Sequence, residues 1–452
     1  MSTRQPTSLP PAEAARVDRV VDRFRRRIGR RPTILVRAPG RVNLLGEHTD
    51  YNGLPVLPMA IDRSVLIAAA PRADHSVRLA NVEARFPTRQ FTLAPMIPPY
   101  APGDWGNYAK AAAQGLLHDF AAHLRNGFDG VVDGNIPAGA GLSSSSALVV
   151  ANALALLAAN DVEPDFHALA ELLPGAERYV GTLSGGMDQA TSLLAQAGHA
   201  LRIDFFPLRV RTVPLPTGYS IVVCHSLVAA EKSGAAKQAY NQRVVECRLA
   251  CRILGQVLAA EVPAGLRTLG DLVTRFPRRT LLEFIPMLAT LVPDPPLALE
   301  DIATLLATTP DQLRPACGGT AGPFAVLRRA RHVLSEAMRV DAAEHALQAG
   351  DAVTFGALMN ASHASCRDDY DISCPELEDL VAIARNVGTV GTRLTGAGFG
   401  GCTVNLVDAN AVDGFLAEVD RRFYARRLGV ATAPTAHRFV FAPHAGATVV
   451  RL

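Results

Sequence analysis

Residues 137–147 read Pro-Ala-Gly-Ala-Gly-Leu-Ser-Ser-Ser-Ser-Ala and lead without a break into the apolar stretch 147–159, ALVVANALALLAA. This junction constrains the fold more than any other part of the chain. A flexible Gly/Ser linker would not feed directly into so apolar a helix, so the loop is read as part of a packed unit. Its glycines let the backbone approach an anion closely, and the free N–H groups of a helix start attract phosphate. A serine hydroxyl in the first turn can also ligate magnesium. The Walker pattern is absent because no lysine follows, so this is a different phosphate cradle. The segment before it, 128–136, alternates well enough for a strand.

A chain of 452 residues, 49% of them hydrophobic, is too long for one core and suits two domains. The charge balance is nearly even (45 − 42 = +3), and no block of like charges suggests a nucleic-acid arm. The most basic stretch, 23–31, reads as the exposed side of an N-terminal helix, with Asp22 and Arg26 spaced to pair. Glu13, Asp18 and Asp22 argue against a transit peptide, and no secretory apolar region lies near Met1. No apolar run reaches the ~18 residues that a membrane span needs. The seven cysteines are odd in number and irregularly spaced, which predicts reduced thiols in a cytosol. Neither Cys247 and Cys251 nor His363 and Cys366 sit in a recognised zinc pattern, so buried thiols are the reading preferred there.

Strands are predicted at 34–38, 65–69, 128–136, 200–206, 220–225, 402–407 and 438–442. Helices are predicted at 144–159 and 168–179. From about 235 the chain is mostly helical, and 268–323 reads as a helical insertion. The expected class is α+β, with two domains, 1–218 and 219–452, dividing near Gly218.

Three further segments carry chemistry. Residues 37–51 (RAPGRVNLLGEHTDY) offer Arg41, Glu47, His48 and Asp50. Polar groups on a turn after a strand suit a sugar, whose hydroxyls need donors and acceptors. In 181–189 (GTLSGGMDQ), Asp188 follows a glycine pair at a helix start; alone it reads as a cap. Residues 393–402 (RLTGAGFGGC) hold four glycines in six residues before a strand; alone this is a tight β-loop.

Together the four segments resemble the galactokinase branch of the kinases for galactose, homoserine, mevalonate and phosphomevalonate (the GHMP kinases). GRVNLLGEHTDYNG resembles the branch's own signature, GAGLSSSSA the superfamily's ATP loop, and RLTGAGFGGC its third motif. VLPMAID, DWGNY, the spacing of Tyr240-Asn-Gln-Arg and SHASCRDDYDISCPEL from Ser362 extend the likeness from about residue 33 to the C-terminus. The resemblance implies a ribosomal-protein-like N-terminal domain with a left-handed crossover, an exception to the usual hand. It also implies a helix-rich α/β C-terminal domain and an active site in the cleft between the two.

The implied activity is transfer of the γ-phosphate of ATP to the C1 hydroxyl of a galactose-like sugar. Asp188 matches the catalytic aspartate, accepting or orienting the C1 hydroxyl proton, with Arg41 beside it to keep it ionised. Glu47, His48, Asp50, Gly185 and Tyr240 match sugar-contacting positions. Gly139, Ala140, Gly141, Leu142, Ser143, Ser144, Ser145 and Ser146 match the ATP loop. Ser145 and Glu177 are the expected magnesium ligands, with Ser144 a rival, and Trp105 matches an aromatic near the adenine pocket. The expected partners are the sugar and MgATP, without nucleic acid or membrane, in a cytoplasmic monomer.

Some residues depart from the pattern. The loop has four serines, and SGGMD stands where CGIMD is common. VECRLAC, SCRDDYDISCPEL and the middle insertion look like the N-acetylgalactosamine kinase and fungal galactokinase branch, while Thr49 and Tyr240 look like ordinary galactokinases. The alternatives are N-acetylgalactosamine or another sugar such as arabinose, and a sugar- and ATP-binding sensor without catalysis.

Overall fold

The structure is a computed structural model that describes residues 11–181, 183–230, 234–430 and 435–452; the start of the chain, considered above for a leader, lies outside them. Strand β1 (Ile34–Leu45) and strand β2 (Leu57–Pro71) form an antiparallel pair, buried along most of its length. Both faces are covered. Helix α1 (Pro11–Ile28) packs on one through Val20 and Phe24, against Leu66, Ala68, Ala70, Ala80 and Val131. Burial on both sides removes the polar alternation that marks a half-exposed strand. That is why β1 runs past the predicted 34–38 and carries Arg41. On α1, the pairing expected between Asp22 and Arg26 is instead made by Asp22 and Arg25, at 3.8 Å.

Strands β3 (Ser76–Asn81), β4 (Arg89–Thr92) and β5 (Phe128–Gly134) complete most of the first sheet, with helix α2 (Gly106–Phe120) between β4 and β5. The sheet order is β12-β1-β2-β5-β3-β4, and only β3 and β5 pair in parallel. Strand β12 (Thr448–Arg451) is the end of the chain, returned to the edge of β1. Helix α3 (Ser144–Ala159) has the predicted bounds and is buried almost throughout. Helix α4 (Phe166–Ala176) is capped by Asp165, whose carboxylate accepts from the N–H groups of His167 and Ala168. A 3-10 turn, Glu177–Val180, follows it, and helix α5 (Met187–Leu194) carries Asp188. Strands β6 (His199–Asp204) and β7 (Arg209–Pro214) form a hairpin.

Strand β8 (Tyr219–His225) opens a second, four-stranded antiparallel sheet with β9 (Gly391–Thr395), β10 (Cys402–Asp408) and β11 (Arg438–Phe441), in the order β11-β8-β10-β9. Between β8 and β9 the chain is helical. Helix α6 (Gly234–Val257) leads to the insertion, which holds four short helices: α7 (Asp271–Arg275), α8 (Phe284–Ala289), α9 (Leu299–Leu305) and α10 (Pro310–Leu313). Helices α11 (Val326–Gln348), α12 (Ala352–Asp368) and α13 (Pro375–Asn386) follow. The insertion packs with α6 and α11 around Leu254, Leu272, Phe284, Ile302, Phe324 and Val333. The two sheets are stitched at Thr395: its hydroxyl donates to Asn43 O at 2.8 Å and accepts from Asn43 N–H at 3.1 Å. Among the described residues, no helix is long and apolar enough to cross a membrane.

Candidate active site

Arg41 points from β1 towards the start of α5. Its Nε donates to Asp188 Oδ1 at 2.7 Å and its Nη1 to the carbonyl of Gly141 at 2.6 Å. One guanidinium thus ties the Asp188 carboxylate to the glycine loop. The other carboxylate oxygen, Oδ2, accepts from Ser146 Oγ at 3.3 Å, and the same hydroxyl bonds Glu177 Oε1. Ser184 Oγ holds Glu177 Oε2 at 2.9 Å. Ser146 thus joins Glu177, expected with Ser145 to ligate magnesium, from the first turn of α3.

The loop before α3 matches the shape of an anion. Ser143, the residue at the helix start, takes the left-handed conformation (φ 60°), uncommon for a residue with a side chain. Its Oγ is buried without a hydrogen-bond partner. An orphaned donor at a helix N-terminus, among free backbone N–H groups, suits a phosphate. The loop is enclosed by the second half of the chain. Ala230 N–H donates to Gly139 O at 2.7 Å, and a Cβ on Gly396 would lie 2.7 Å from Gly141 O. Two glycine-rich segments far apart in sequence therefore pack backbone to backbone.

Asp50 lies on the other side of Asp188. It accepts from Tyr51 N–H at 2.9 Å and Met187 N–H at 3.3 Å, yet burial, then Asp188 and Glu47, push its pKa up from 3.8 to about 6. Gly185 makes room for it: a Cβ there would fall 2.2 Å from Asp50 Cγ. Gly185→Ala must therefore displace Asp50 or the turn before α5. We expect a loss of sugar kcat/KM of at least ~10², measured by steady-state assay, with the melting temperature as a control for folding. Tyr240, on α6, completes this side. Its ring centroid lies 5.1 Å from that of His48, and burial, then Asp50, Asp188, Glu177 and Glu47, raise its pKa well above the ordinary value. Tyr240 thus faces the site's carboxylates as a neutral hydroxyl.

Glu47 and His48 are enclosed more deeply. Glu47 Oε1 accepts from Gly396 N–H at 2.9 Å and Arg393 Nη1 at 3.2 Å. Burial works against the Arg393 charge, but Glu47, Cys366 and Glu336 around it more than offset that. Burial, then His332, lowers the His48 pKa to about 3, so the ring is neutral. Its Nε2 faces Ala397 O at 3.1 Å and so carries the hydrogen; Nδ1 then accepts from Tyr51 Oη at 2.9 Å. Tyr51 Oη in turn accepts from Tyr370 Oη at 2.6 Å. With both nitrogens engaged, the His48 ring supports the loop. Thr49 is buried too, its hydroxyl shared between Gly46 O and Pro55 O within its own turn. Trp105 is mostly buried. It is only 8% exposed, packs beside Phe86 and donates its Nε1–H to Pro87 O.

The structure thus brings Arg41, Asp50, Gly185, Asp188 and Tyr240 together and sets Glu177 and the serine loop beside them. It also adds residues missed in the sequence: Arg393, Tyr370, His332 and Glu336, all from the second half. On α11, His332 and Glu336 share a helical stripe with Val333, Ala337 and Val340. That stripe was the available signal that both point inward.

A bipartite kinase built around a glycine–serine anion loop, with an arginine-held carboxylate beside it, is the class these features define. The GHMP kinase N-terminal domain matches residues 107–196 and the C-terminal domain 343–425. The galactokinase galactose-binding signature matches residues 22–71. A galactokinase of Roseiflexus sp. is 38% identical over 89% of this chain and 90% of its own. That of Saccharomyces cerevisiae is 32% identical over 88% and 87%. The crystal structure of Lactococcus lactis galactokinase complexed with galactose superposes with a TM-score of 0.78, at 28% identity, over 97% of this chain and 99% of that one. Mevalonate kinase, at 18% identity and a TM-score of 0.54, shares the fold. The chain belongs to the galactokinase family of the GHMP kinases, which are ATP-dependent.

Proposed function

We propose that this enzyme transfers the γ-phosphate of ATP to the C1 hydroxyl of D-galactose, giving galactose 1-phosphate and ADP. The observation that carries this reading is the Arg41–Asp188–Ser146–Glu177 cluster, set between the anion loop and Asp50. Phosphoryl transfer asks mainly for positioning and charge compensation. Asp188 orients the attacking hydroxyl and takes its proton; Arg41 keeps that carboxylate ionised and offsets charge on the moving phosphoryl group. The N–H groups of 139–146 and the Ser143 hydroxyl receive the phosphates. Asp50 accepts from ring hydroxyls remote from C1, and Tyr240 closes over them. Magnesium would supply further charge neutralisation, held by Glu177 and the hydroxyls of Ser145 and Ser146. An oxygen set with few carboxylates suits that ion, which keeps waters and substrate phosphates as its other ligands.

The substrate is galactose and not N-acetylgalactosamine on this reading. The segments resembling the acetamido-sugar branch have packing roles: Glu246, in VECRLAC, accepts from Ala325 N–H and Arg329 Nε and is fully buried. Tyr240, which resembles galactokinases, faces the site. The product tests the reaction class: phosphorus NMR should show an anomeric phosphate coupled to H1. A phosphate on any other carbon contradicts it.

The Asp50 pKa gives a pH dependence with a definite sign. Asp50 accepts charge-assisted hydrogen bonds from sugar hydroxyls when ionised; protonation near pH 6 removes the charge and turns one acceptor into a donor. The KM for galactose should therefore rise as pH falls from 7 to 5, by about tenfold per pH step well below the pKa. A galactose KM that stays flat over this range contradicts the role given to Asp50.

A further inference from the structure

The loop that presents Glu47 and Asp50 has an unusual backbone. Gly46 has φ 94° and His48 has φ 62°. The second is a strained choice for a residue with a Cβ, and such strain persists where the surroundings over-determine it. Those surroundings come from α11, nearly 300 residues away in sequence. Glu336, fully buried, accepts from Gly46 N–H at 2.9 Å, Ser362 Oγ at 2.5 Å and Arg339 Nε at 2.6 Å. One turn earlier, His332 meets Glu47 O through Nε2 at 3.0 Å and Ser365 Oγ through Nδ1 at 2.9 Å. A carbonyl only accepts, so Nε2 carries the hydrogen and the Ser365 hydroxyl donates to Nδ1. The ring packs on Tyr370, 4.4 Å between centroids. Burial lowers the His332 pKa to about 4, which keeps this single tautomer at neutral pH.

Two residues one helical turn apart thus grip the N–H of Gly46 and the C=O of Glu47, the two ends of the Gly46–Glu47 pair. We infer that His332 and Glu336 are positioning residues for sugar recognition, fixing the backbone of 46–48 so that the carboxylates of Glu47 and Asp50 meet the sugar. Neither touches substrate. The inference rests on the sugar-kinase reading above and extends it to α11. It separates sugar from nucleotide: α11 holds the sugar loop, whereas the anion loop is held by Arg41, Ala230 and the backbone around Gly396.

The test compares KM values for galactose and for MgATP in three His332 variants of the full chain. His332→Phe keeps the ring against Tyr370 but removes the donor to Glu47 O. It should raise the galactose KM about tenfold or more, with the MgATP KM within about twofold of wild type. His332→Gln, whose amide nitrogen falls near the Nε2 position, should recover most of that loss. His332→Asn, too short to reach, should not. If His332→Phe does not fold, the Gln and Asn pair reads the same geometry. A galactose KM unchanged in Phe and Asn overturns the inference, as does a parallel rise in both KM values or a Gln variant no better than Asn. A wild type that phosphorylates no sugar overturns the underlying reading, and the inference with it.

Discussion

Replacing Asp188 with asparagine should lower kcat by about 10²–10⁴ while leaving the galactose KM within a few-fold of wild type. Asparagine keeps the shape and one acceptor for Arg41 Nε, now 2.7 Å from Oδ1, but cannot take the proton of the attacking hydroxyl. It also removes the negative charge that Arg41 neutralises, leaving the guanidinium less constrained towards Gly141 O. A single-turnover experiment with saturating sugar and MgATP isolates the chemical step. If that step ran at the wild-type rate, the proton would be leaving by another route and the role of Asp188 would be wrong.

The second large effect concerns Asp50, and it has two parts of opposite sign. Asp50→Asn should cut kcat/KM for galactose by about 10²–10⁴, since the charge-assisted hydrogen bonding proposed for Asp50 on the sugar becomes weaker or is lost. The same change should stabilise the sugar-free protein at neutral pH. The folded pKa of about 6 lies above the ordinary 3.8. A carboxylate raised in this way contributes stability that is fully present below about 3.8 and lost as pH rises through about 6. Above that, the buried charge next to Asp188 and Glu47 costs up to about 3 kcal/mol. Asparagine relieves this cost, less what it forfeits at the Met187 N–H. Calorimetry at pH 7.5 and pH 5 checks it: the variant should melt above wild type at the higher pH, with the gap narrowing at the lower. A variant that melts below wild type at pH 7.5 would mean that Asp50 is structurally required and not held at a cost for binding.

The legibility of the fold follows from burial. Helix α3 could be bounded to the residue, because an apolar run broken only by Asn152 starts directly at a row of serines. Strand β1 was seen only in its first five residues. Beyond Ala38, its Pro39, Gly40, Arg41 and Asn43 look like a turn, yet they lie buried between two covered faces. Helix α2 was missed: its long alanine face hides a buried Lys110 that donates to Pro98 O. Strand β12 is four residues of mostly exposed edge, whose partner is fixed by tertiary contact alone.

In the site, Arg41, Asp50, Gly185 and Asp188, each read from a glycine-bearing motif, do converge. Direction was less legible than residue type. Ser146 turns towards Glu177, His48 engages both ring nitrogens, and Trp105 is mostly buried. The α11 residues were invisible for a third reason. A histidine and a glutamate among four arginines between 328 and 339 read as a solvated helix face, and only the stripe they share with Val333 and Val340 says otherwise.

The most direct test of the central claim is magnesium-dependent ADP release from ATP, with galactose and N-acetylgalactosamine assayed side by side on the same preparation. The structure predicts release with both magnesium and galactose required, and a kcat/KM for galactose well above that for N-acetylgalactosamine. A preference for N-acetylgalactosamine, or ADP release that does not depend on sugar, would contradict it.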